Sequence, residues 1–178
     1  MKLNSLYFKN IIELINNKLL ISYLNQNGIS LHFCLHHMLE IFENKLNFTN
    51  SKVKFIKQNE IFSYIMKSSL LVTDFSSIIF EFIYQKKPYI MFIPDSEEPN
   101  IEAFYDKDYF NLIKNLKDGT IYFMNKFFDI NKVVDKIIYY INNDFALEQN
   151  LTDFYNSFNL KCGNNTMKFI NYLENITK

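Results

Sequence analysis

Short apolar runs rich in β-formers alternate along this chain with segments of helical periodicity, and this alternation constrains the fold more than any other feature. The runs are ISLHFCL (Ile29–Leu35), Val53–Ile56, LLVTD (Leu70–Asp74), YIMFI (Tyr89–Ile93) and Thr120–Phe123. Strands covered on both faces read in this continuous way, because neither face meets water. Ahead of them, Tyr7–Leu24 carries Ile11, Ile12, Ile15, Leu19 and Leu20 at three- and four-residue steps. That spacing predicts one amphipathic helix, stopped by Asn25-Gln26-Asn27-Gly28. Further helices are predicted over His37–Leu46, from an Asn59 cap to Lys67, over Ile78–Tyr84, and over Ile130–Ile141, Phe145–Phe158 and Asn165–Ile176. Pro94 to Gly119 reads as a long polar loop.

Strands alternating with helices at this spacing imply the α/β class, with a parallel sheet covered on both faces. Right-handed crossovers turn such a sheet into an open, doubly wound, Rossmann-like one. No repeat, low-complexity linker or composition shift divides the chain, so residues 1–178 are expected to form one domain. In such sheets ligands gather beyond the carboxyl ends of the strands.

Composition removes several function classes. Lys plus Arg and Asp plus Glu both number 19, so the basic excess of a nucleic-acid binder is missing. No stretch approaches the ~20 apolar residues that span a bilayer, and MKLNSLYFKNIIELINN has no apolar run long enough for a secretory signal. A soluble or peripheral protein in a reducing compartment is expected. Cys34 and Cys162 stand far apart and match no zinc or disulfide pattern. With 3 glycines in 178 residues, a glycine-built phosphate cradle is disfavoured, and no dinucleotide fingerprint is present; no cofactor is expected.

A phosphate would then be held by a helix N-terminus and by side chains. The run Leu70–Asp74 delivers Thr73, Asp74, Ser76 and Ser77 to the sheet edge where a helix begins. Unpaired N–H groups there attract anions, and serine hydroxyls add donors without bulk. The same residue types also serve as ordinary helix caps. The run Ile29–Leu35 delivers His36 and His37 in the same way. A histidine there can move a proton or donate to a phosphate, or simply help to start the next helix.

Taken as a block, KSSLLVTDFSSIIFEFIYQKKPYIMFIPD (Lys67–Asp95) resembles the signature region of the CDP-glycerol glycerophosphotransferase family, with Thr73, Asp74, Ser76, Ser77, Phe80, Lys87, Pro88 and Asp95 in register. ISLHFCLHH is similar to the family's strand ending in a His-Pro pair, with His36 at the histidine. AFYDKDYF, KDGTIYF and FYNSFNLKCGNNTMKFINYL, with Gly163, are similar to its later segments. The resemblance implies the carboxyl-terminal, donor-binding half of a GT-B architecture. It also implies transfer of glycerol phosphate from CDP-glycerol to a lipid-linked poly(glycerol phosphate) acceptor, with release of CMP. On this reading His36 is catalytic, while Thr73, Asp74, Ser76, Ser77 and Glu81 bind the donor. The protein would be cytoplasmic, or peripheral at the inner face of the cell membrane. His37 replaces the family's proline, Phe75 a common tyrosine, and Glu81 an aspartate. An amino-terminal GT-B domain, which a separate chain could supply, and a strand ahead of the first helix are also implied. Two other readings keep this fold: a non-catalytic CDP-glycerol or CMP binder, and a glycosyltransferase domain using a nucleotide sugar.

Overall fold

The structure is a computed structural model and describes residues 5–35, 50–74, 76, 78–93, 126, 127 and 129–157. Its elements are α1 (Leu6–Ile15), α2 (Lys18–Gln26), β1 (Leu31–Phe33), β2 (Val53–Phe55), α3 (Ile61–Lys67), β3 (Leu71–Thr73), α4 (Ile79–Tyr84), β4 (Tyr89–Phe92), β5 (Lys126–Phe127), α5 (Ile130–Asn142) and α6 (Gln149–Ser157). The expected helix His37–Leu46, the strand Thr120–Phe123, the loop from Pro94 and the helix Asn165–Ile176 lie outside the described residues.

Every strand pair is parallel, as the alternation of strands and helices predicts. Among the described residues the strands form two ladders, β1-β2 and β3-β4-β5; the sequence predicts a single parallel sheet. Leu31 pairs with Val53, Leu71 with Tyr89, and Met91 with Lys126. The central strand β4 is buried along its whole length, as its unbroken apolar run requires. Burying a side chain of this size is worth about 1.5–3 kcal/mol, so β4 anchors the main core. Around it pack Ile79 and Ile83 of α4, Val133, Val134 and Ile137 of α5, and Leu20 and Leu24 of α2. A smaller cluster joins Phe8 of α1 to Leu35, with Tyr7, Ile12, Phe33 and Phe55 packed against it.

Three helix boundaries differ from the sequence reading, each through a local hydrogen bond or backbone conformation. The helix expected over Tyr7–Leu24 is two helices. The Asn17 side chain accepts from the N–H groups of Leu19 and Leu20 at 3.0 and 3.1 Å and so starts α2 afresh, as asparagine does at helix caps. Asn59 is not a cap but the middle of a 3₁₀ turn, Gln58–Glu60, that leads into α3. There the Glu60 carboxylate accepts from the Lys57 N–H at 3.1 Å. Asp144 and Phe145 have φ of 49° and 56°, which delays α6 beyond its expected start at Phe145. Helix α5 begins where expected, with the Asp129 side chain accepting from Asn131 and Lys132 N–H at 2.7 and 3.2 Å.

Candidate functional site

Strand β3 ends at Thr73, paired with Met91 of β4, and the chain then passes through Asp74 and Ser76 into α4. Of the polar residues predicted for the carboxyl edge of the sheet, Thr73, Asp74 and Ser76 therefore stand at the strand-to-helix turn. Tyr7 of α1 donates its hydroxyl proton to Asp74 Oδ2 at 3.2 Å, across 67 positions of sequence. This contact brings the start of α1 to the carboxyl end of β3. Tyr7 carried no signal in the sequence beyond its place on a helix, and only the tertiary fold reveals its part.

Ser76 Oγ accepts from the Ile78 N–H at 3.4 Å, beyond the usual 2.7–3.2 Å range for such bonds. This contact belongs to the turn ahead of α4; Ile78 stands at the N-cap position and no side chain caps the helix. Because the oxygen acts as acceptor, the hydroxyl proton is still available to donate. The Ile79 N–H returns to Ser76 O at 3.3 Å, closing the first turn. Glu81 lies in the first turn of α4 with its side chain exposed, away from the interior. His36 and Ser77 lie outside the described residues, as does Phe75.

Behind the turn, Lys87 holds the framework together. Its Nζ donates to the carbonyls of Met66 and Ile65, at the end of α3, at 2.8 and 3.3 Å. A cation at that end also complements the helix dipole. The main-chain carbonyl of Lys87 accepts from the Tyr155 hydroxyl of α6 at 2.6 Å. The sequence placed Lys87 in the family block without assigning it a task; its visible contacts are architectural.

His32 of β1 packs against Tyr64 of α3, with ring centroids 4.6 Å apart and planes tilted by 46°. Partial burial, then nearby Lys54, hold its pKa below the ordinary histidine value. Among the described residues no group of three metal-ligating side chains could hold an ion, and no helix is long and apolar enough to cross a membrane.

A family model described as CDP-Glycerol:Poly(glycerophosphate) glycerophosphotransferase matches residues 6–172, nearly the whole chain. The chain belongs to that family. Among curated relatives of this glycerophosphotransferase-family chain, the Minor teichoic acid biosynthesis protein GgaB of Bacillus subtilis is 29% identical over 147 residues, which is 82% of this chain and 15% of the relative. A Teichoic acid poly(glycerol phosphate) polymerase of Bacillus spizizenii is 25% identical over 144 residues, covering 78% of this chain and 33% of the relative. The chain thus spans a third or less of the curated relatives it matches. No solved structure matches.

Proposed function

We propose that this chain is a Rossmann-like, donor-binding domain of an enzyme that transfers glycerol phosphate from CDP-glycerol to a poly(glycerol phosphate) acceptor of the teichoic-acid type. The observation that carries this reading is the family match over residues 6–172. The strand-to-helix turn at Thr73, Asp74 and Ser76 supports it, because a loosely held hydroxyl with a proton to donate suits a diphosphate.

On this reading Ser76 and Ser77 hold the donor diphosphate through hydroxyl and main-chain N–H groups. Thr73 and Asp74 shape the turn, and Glu81 lies along the same helix toward the donor. An acceptor hydroxyl oxygen bonds to the glycerol-bearing phosphorus as the bridging P–O bond breaks, and CMP leaves with the electrons of that bond. His36 neutralises the charge departing on CMP or relays the proton released by the acceptor. Such a reaction asks mainly for positioning and charge stabilisation. The remaining domain, the lipid-linked acceptor and a position at the inner face of the membrane belong to the whole enzyme.

Calorimetric titration with CDP-glycerol, CMP and UDP-N-acetylglucosamine tests the donor assignment. The expected result is binding of the cytidine ligands alone, weakened at least about tenfold in the Ser76→Ala/Ser77→Ala variant, since two hydrogen bonds to a charged group are lost. A folded chain that binds no cytidine ligand, or prefers the uridine sugar, overturns it.

A further inference from the structure

The turn that carries Ser76 is fastened from outside its own strand and helix. The bonds described within it are long: the Ile78 N–H reaches Ser76 Oγ at 3.4 Å, and the Ile79 N–H reaches Ser76 O at 3.3 Å. The helix it leads into, α4, has 6 residues and no side-chain cap. A helix that short forms only with tertiary support.

Asp74 is where such support arrives. It stands one position past β3 and two before Ser76, so its backbone sets how the chain leaves the sheet and enters the turn. Its Oδ2 accepts from the Tyr7 hydroxyl at 3.2 Å, in a half-buried setting. Tyr7 itself rests on a firm base. Its neighbour Phe8 is completely buried, in the cluster with Leu35 beyond the end of β1. The rings of Tyr7 and Phe8 meet edge to face, with centroids 5.6 Å apart and planes at 86°. The hydroxyl is thus presented from a side chain whose backbone is pinned by the core.

We infer that Tyr7 is a positioning residue for the donor turn: it holds the Asp74 carboxylate, and through it the path from Thr73 to Ser76, in the arrangement that receives phosphate. The inference rests on the donor-binding reading above and adds to it a residue on a different helix, outside the Lys67–Asp95 block. The chemistry suits holding rather than ligand contact. The hydroxyl proton is engaged by Asp74, so it is not the donor to a phosphate oxygen. A carboxylate beside a bound phosphate repels it, and a hydroxyl donated to that carboxylate offsets part of the repulsion. A turn ordered before the ligand arrives also lowers the ordering cost of binding.

Calorimetric titration with CDP-glycerol across a double-mutant cycle tests it, comparing the unaltered chain with Tyr7→Phe, Asp74→Ala and the double variant. Each titration runs well below the lowest Tm of the four, so that loss of folded protein does not enter Kd. A distance of 3.2 Å is long for a hydroxyl donor. Tyr7→Phe is therefore expected to weaken binding about three- to tenfold, the range of an ordinary hydrogen bond. Added to Asp74→Ala, the same change is expected to alter Kd by less than about twofold, because the hydroxyl then has nothing to hold. A residue that only supports the fold, or that touches the ligand itself, loses affinity alike in both backgrounds; that result overturns the inference, as does an unchanged Kd in Tyr7→Phe. Should Asp74→Ala fail to fold or to bind, Asp74→Ser, whose side chain is too short to reach the hydroxyl, takes its place. A folded wild type that binds no cytidine ligand removes the donor reading and this inference together, whereas binding with additive losses removes this inference alone.

Discussion

Tyr155 of α6 and the carbonyl of Lys87 lie 68 positions apart and meet through one hydroxyl at 2.6 Å. Tyr155→Phe deletes that oxygen and little else, because the ring stays in a pocket where the residue is 3% exposed. Water cannot easily replace the lost donor, so the cost should fall at about 1–2 kcal/mol. For a chain of this length each kcal/mol shifts Tm by roughly 2–4 °C, which gives an expected fall of about 2–8 °C by calorimetry or circular dichroism. The pH profile adds a second signature. Burial, and then neighbouring Tyr89, raise the Tyr155 pKa well above the ordinary value of 10.0. The folded state thus keeps the proton after the unfolded chain begins to lose it. The wild type accordingly sheds this group's stability as pH rises past 10.0, while the phenylalanine variant has none to shed. The Tm gap should be constant from neutral pH up to that point and close above it. An unchanged Tm at neutral pH, or a gap that widens in alkali, would refute the reasoning.

Two further outcomes follow from contacts around the same core. Lys87→Met keeps the aliphatic stem but removes the donor to Met66 O and Ile65 O; with one of these bonds exposed, a loss of about 0.5–1.5 kcal/mol is expected in urea unfolding, and an unchanged midpoint would show that the lysine carries no weight there. His32 has its folded pKa below the unfolded value of 6.5, so its contribution is complete above pH 6.5 and is lost as pH falls below it. The His32→Gln variant should therefore show a flatter stability profile between neutral and mildly acid pH, by a modest amount because His32 is largely exposed; parallel profiles would remove the histidine from the account.

The parallel α/β pattern was legible because β4 and β3 lie in unbroken apolar runs bounded by turn residues and separated by helical segments. Helix α5 was legible for a related reason, since its buried Val133, Val134, Ile137, Tyr140 and Ile141 keep helical spacing behind an aspartate cap. The break between α1 and α2 was hidden, because apolar periodicity runs straight through Asn16 and Asn17 while the side-chain cap that separates the helices is a matter of rotamer. Strand β5 was missed altogether: Lys126–Phe127 is too short to show a pattern, and only pairing with β4 defines it. At the candidate site, chain order alone put Thr73, Asp74 and Ser76 at one turn. No sequence rule could supply Tyr7, whose bond to Asp74 arises from the crossing of α1 over the strand ends.

Lys87 sets the size of the piece that can be exchanged among members of this family. Its ammonium group closes α3, its carbonyl receives α6, and its successor Pro88 begins the approach to β4. A chimaera joined between α3 and β3 would place the lysine and the carbonyls it satisfies in different parents. The smallest unit that carries this junction intact runs from Ile61 to Tyr155, well beyond a single strand-helix repeat, and grafts cut inside it should arrive with a loosened helix end before any chemistry is compared.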